Sequence, residues 1–166
     1  RIAIENQAPC SDGQTFVLSD LRALRAFADA YDLAIVLDTA HTVGTGYSLL
    51  EAYEIFNGRL HNVHFSDWRC PPGLLAHPLF DNFLKHHQLL GSGEMPLGDL
   101  ILRLTQDHYT DFITLEISPT ALQFWSLKRV KDNLRHCMSF VQGFWQTRAE
   151  ERTHKDKYTI GTRLSD

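Results

Sequence analysis

The chain is poor in cysteine. Cys10, Cys70 and Cys137 are scattered through 166 residues, and none forms a Cys-x-x-Cys pair. An odd, dispersed set offers no disulfide framework, so a reducing cytoplasm is the expected compartment. Positive charge is also short: 16 Lys and Arg face 20 Asp and Glu, for a net charge of -4. Nucleic acid usually meets a basic face, and this composition supplies none. No apolar run reaches the ~18–20 residues that span a bilayer. No cationic leader precedes an apolar stretch, so neither a membrane nor a retained signal peptide is expected. Low-complexity segments and internal repeats are absent as well. What is present is ordinary for a globular protein, with 43% hydrophobic and 22% charged residues. The length suffices for one domain with a real core.

Along that length, two periods alternate. "IAIEN", "LAIVLD", "LHNVHFSD" and "DFITLEIS" are short apolar strands. "SDLRALRAFADAYD" places Leu21, Leu24, Ala28 and Tyr31 at helical spacing, with Ser19 as its expected N-cap. "SLLEAYEIFNG" is a helix stopped by Gly58, and "LGDLILRLTQDHY" is another. Pro119 opens a last helical run to about residue 146, and a charged, loose tail is expected over 147–166. Strands alternating with helices imply βαβ units and a parallel sheet. Because "IAIE" follows Arg1 at once, the chain is expected to be part of something longer.

The strand ends carry the chemistry. "LAIVLDTAH" runs an apolar strand straight into Asp38 and His41 without a Gly or Pro turn. The first strand ends on Glu5, the third carries His64 and Asp67, and the fourth carries Glu116. In a parallel α/β sheet all strand C-termini lie on one side, where active sites form. Strand parity puts Glu5 with Ala3, Asp38 with Val36, His64 with Asn62, and Glu116 with Thr114. The opposite face takes Ile2, Ile4, Ile35, Leu37, Val63, Phe65, Ile113 and Leu115, a surface suited to helices. One such carboxylate is equally well read as a helix cap. Four candidate ligands sharing one face point instead to a divalent metal. Mn²⁺, Mg²⁺, Co²⁺ and Zn²⁺ all suit three carboxylates and an imidazole.

These pieces, with "HQLLGSGEMPLGDLILRL", resemble in order the C-terminal half of the xylose-isomerase-like TIM-barrel superfamily. That group includes sugar epimerases and isomerases and endonuclease IV. The resemblance implies a (β/α)8 barrel, of which residues 1–146 supply about the last four βα units. It implies one metal ion held by Glu5, Asp38, His64 and Glu116. It makes Glu5 and Glu116 the catalytic proton-transfer pair and places His41, His87 and Arg69 against a small-molecule substrate. Arg69 is offset by about one residue from the family position. His86 is as good a sequence candidate as His87.

The activity so implied is isomerisation or epimerisation of a small sugar or hydroxy-carbonyl compound through an enediolate. The runners-up are abasic-site phosphodiester cleavage, as in endonuclease IV, and a non-catalytic barrel fragment. Lys85 stands where the nucleases place a further Asp ligand, which disfavours their metal cluster. A complete barrel needs about 250 residues. An N-terminal half barrel or a homo-oligomer is therefore expected as partner.

Overall fold

The computed structural model describes residues 2–9, 18–70 and 85–161, with side chains described as far as residue 144. Cys10 lies outside the described residues. The elements alternate: β1 (Ala3–Glu5), α1 (Leu21–Ala30), β2 (Ala34–Asp38), a 3-10 turn (Ala40–Thr42), α2 (Leu49–Phe56) and β3 (Leu60–Phe65). There follow α3 (Leu97–Gln106), β4 (Phe112–Leu115), the short α4 (Pro119–Leu122) and the long α5 (Leu127–Gly161).

The strands form one parallel sheet in the order β1-β2-β3-β4. Sequential parallel strands joined by helices are the expected α/β arrangement, equivalent to half the circumference of a (β/α)8 barrel. Register sets the depth of each strand end. Asp38 lies beside His64, Glu5 beside Val36, and Thr114 beside His64. Asp38 and His64 are thus level in the middle of the sheet. Glu5 and Glu116 approach from the two outer strands.

The two faces divide as strand parity requires. Ile35, Leu37, Val63 and Phe65 are fully buried, and Ile4, Ile113 and Leu115 pack at the core margin. Against them lie Leu21, Leu24 and Ala28 of α1, Ala52, Tyr53 and Phe56 of α2, and Leu100, Ile101 and Leu104 of α3. Ile2 departs from the expected pattern: it precedes the edge strand and is 72% exposed. On the opposite face Ala3 and Thr114 are exposed, and Val36 and Asn62 are half-buried. Phe112, of the same parity, is 65% exposed. Among the described residues, the face that carries the candidate ligands is thus exposed at Ala3, Phe112 and Thr114.

Local signals explain the helix ends. The cap of α1 is Asp20, one residue beyond the expected Ser19, because its carboxylate accepts from both Arg22 N and Ala23 N at 3.1 Å. Ser48 and Glu51 close a reciprocal capping box on α2. The helical run expected from Pro119 is broken at Gln123, whose φ of 57° is left-handed, and resumes at Leu127. It then continues through the charged segment to Gly161, where loose chain was expected; the side chains there lie outside the described residues. Among the described residues no helix is long and apolar enough to cross a membrane.

Candidate metal centre

The absence of a Gly or Pro turn after β2 has a structural answer. The chain leaves Asp38 directly into the 3-10 turn, and Asp38 Oδ1 accepts the His41 backbone N–H at 3.1 Å. The carboxylate thus shapes the turn that carries the imidazole. Asn6, fully buried just past β1, holds the other side of Asp38. Its Oδ1 accepts Asp38 N at 2.8 Å and its Nδ2 donates to Asp38 O at 3.1 Å. His41 Nδ1 lies 3.1 Å from Asn6 O, which can only accept, so Nδ1 is the donor, and in the neutral ring Nε2 is then an acceptor. Thr39 Oγ1 donates to Ser66 O at 2.6 Å and accepts Ser66 N at 3.0 Å, tying the tops of β2 and β3. Asn6, Thr39 and Ser66 escaped the sequence reading. Their one sequence signal is a polar residue directly after each apolar strand.

The structure brings Glu5, Asp38, His64 and Glu116 together, with ligand atoms within 4.8 Å of one another. His64 Nδ1 lies 2.6 Å from Glu116 Oε2 and 3.5 Å from Glu5 Oε2. The 2.6 Å pair lacks hydrogen-bond alignment, and His64 Nδ1 is buried without a hydrogen-bond partner. Asp38 Oδ2 is in the same condition, on a residue that is 0% exposed. Burial pushes the Asp38 carboxyl up to about 8. The His41 N–H opposes that rise, the Glu116 and Glu5 charges add to it, and His64 lowers it slightly. A buried carboxyl oxygen and a buried imidazole nitrogen, both unpaired and crowded by carboxylates, fit a divalent cation.

His41 and His87 stand beside this group. His41 Nδ1 is 3.6 Å from both Glu5 Oε1 and Asp38 Oδ2, and His87 Nδ1 is 3.9 Å from Asp38 Oδ2. Their rings are 5.1 Å apart, and His86 lies 6.2 Å from His41. Burial holds the His87 imidazole below its ordinary value and His41 adds to the effect, so the ring is neutral at neutral pH. Gln7, Ala8 and the three histidines line a cavity of about 360 Å³. Arg69 is not brought to the group: it is exposed, and its backbone N–H donates to Lys85 O at 3.0 Å.

The family model described as the xylose isomerase-like TIM barrel matches residues 1–140. The chain belongs to this family. No curated protein matches it. Among solved members of the fold, L-ribulose 3-epimerase superposes with a TM-score of 0.63 at 15% identity, over 91% of this chain and 49% of that one. D-psicose 3-epimerase from Clostridium cellulolyticum H10, solved with D-tagatose, gives 0.62 at 12% identity over 86% and 48%. The 3-keto-D-glucoside 4-epimerase of E. coli gives 0.57 at 17% identity over 84% and 44%. At such identities the likeness concerns the fold. The chain spans about half the length of these solved structures.

Proposed function

We propose that this chain is the metal-binding half of an isomerase or epimerase acting on a small sugar or hydroxy-carbonyl compound. The observation that carries the reading is Asp38 Oδ2, fully buried and unpaired among Glu5, His64 and Glu116. A divalent ion, Mn²⁺, Mg²⁺, Co²⁺ or Zn²⁺, held by these four side chains would supply Lewis-acid polarisation of a carbonyl and its neighbouring hydroxyl. Glu5 and Glu116 approach from the two outer strands, which supports a role for each in taking or returning a proton at carbon. Asp38 and His64 form the floor between them. His41 Nε2 accepts from a substrate hydroxyl, and the neutral His87 ring hydrogen-bonds another in the adjoining cavity. Arg69 would contact substrate through its exposed side chain.

The barrel half is taken as residues 1–146 with 147–166 a charged tail, in a cytoplasmic protein. Its open face is covered by an N-terminal half barrel or by a second copy. The decisive experiment incubates the full-length protein with candidate ketoses and aldoses in D₂O. Deuterium should enter the carbon beside the carbonyl, and Glu116→Gln should stop that exchange. No exchange with any small sugar, together with incision of abasic-site DNA, would overturn the reading.

One observation favours that second, phosphodiesterase reading. Asp38, His41 and His87 also fall within 4.8 Å, close enough for an additional ion. Metal stoichiometry separates the two, since about one ion suits the isomerase and several suit the nuclease.

A further inference from the structure

Asp67 follows β3 and plays no part in the group just described. It is 1% exposed, yet among the described residues no cation pairs with it. Four backbone amides do instead. Trp68 N and Met95 N donate to Oδ1 at 2.8 and 3.1 Å, and Gly91 N and Gly93 N donate to Oδ2 at 3.0 and 2.9 Å. The backbone of Asp67 bridges Gln88 in both directions, at 3.0 and 2.8 Å. Asp67 thus holds both ends of the segment from Gln88 to Met95, Gln88 through its backbone and Gly91, Gly93 and Met95 through its carboxylate. Gly93 fits the arrangement closely: a Cβ there would lie 2.4 Å from Asp67 Oδ1 and 2.2 Å from Trp68 O.

The residue next to this clasp is His87. Its φ of 53° is left-handed, a conformation a histidine holds only when its neighbours fix it. Gln88 is fixed by Asp67, and His87 O accepts Ser118 N at 2.8 Å. The ring then meets Ser66 Oγ at 3.2 Å and Asp38 Oδ2 at 3.9 Å.

We infer that Asp67 is a positioning residue: its carboxylate clasps the Gly91–Gly93–Met95 amides and so sets the His87 ring against Asp38. A carboxylate is required because all four partners are donors. An Asn of the same shape would turn its own NH₂ toward two of them. The inference does not rest on the epimerase reading, since its readout needs neither substrate nor metal.

The test compares Asp67→Asn and Gly93→Ala in the full-length protein. Amide exchange at Gly91, Gly93 and Met95 should accelerate about tenfold or more, the factor that losing one to two such bonds implies. The ring ¹⁵N signals of His87 should shift or broaden while those of His64 stay in place. Because both changes open one clasp, the double variant should be no worse than either single variant. An unmoved His87 ring beside accelerated amides would overturn the inference. So would His64 signals that move as far as those of His87. Loss of the fold in both single variants would assign Asp67 to global stability and also overturn it.

Discussion

Asp38 is the residue whose environment is hardest to account for without a cation. Its Oδ2 has no hydrogen-bond partner, and two further carboxylates lie within ligand distance. Asp38→Ala and His64→Ala in the full-length protein should each abolish a bound divalent ion in elemental analysis; full occupancy in both would sink the assignment. The metal-free protein should also show a characteristic pH response. Below the ordinary value of 3.8 the carboxyl is protonated in folded and unfolded chains alike. Between that value and about 8, the folded protein holds a proton that the unfolded chain has released. Stability should therefore fall as pH rises through this window. Asp38→Asn should flatten the slope and melt higher than the parent at the alkaline end. Thermal melts with chelator, from about pH 5 to about pH 9, would read it, and equal slopes in both proteins would contradict it.

At the scale of elements, each strand and helix has a cause in a few residues, and the cap of α1 can be tested alone. Asp20→Ala should cost about 1 kcal/mol in denaturant unfolding, whereas Asp20→Gly should cost about a few tenths. An equal loss in both would show that the carboxylate does not cap. Strand parity was the most legible feature of the sequence. Hydrophobic alternation placed Ile35, Leu37, Val63 and Phe65 in the core and put Glu5, Asp38, His64 and Glu116 on one face, as the structure has them. The cap slipped by one residue because Ser19 and Asp20 are both good caps, and only the hydrogen bonds distinguish them. The break at Gln123 left no periodicity to find. It depends on Phe124 N donating to Pro119 O and on Asn133 donating to the carbonyls of Ala121 and Leu122, from one helix to another. That His87 rather than His86 lies 3.9 Å from Asp38 Oδ2 likewise has no local signature, since it depends on how the segment is held in three dimensions.

At the scale of the molecule, the question is what covers the ligand face. A parallel sheet is ordinarily buried on both sides. Here one face is packed by α1, α2 and α3, while Ala3, Phe112 and Thr114 of the other are exposed. Among the described residues β1 and β4 are the edges of the sheet, and edge strands invite pairing. The chain covers only about half the length of the solved structures it matches. Water reaching a half-open site would also compete with its ligands for a cation. The 166-residue chain by itself should therefore be marginal, associating or aggregating through these edges. The same chain joined to a complementary half barrel, whether upstream sequence or a second copy, should melt cooperatively and hold its ion. Light scattering and thermal melts on the two forms would decide. A monomeric 166-residue chain that melts cooperatively and binds metal tightly would show that four βα units suffice, and the covered face would need another explanation.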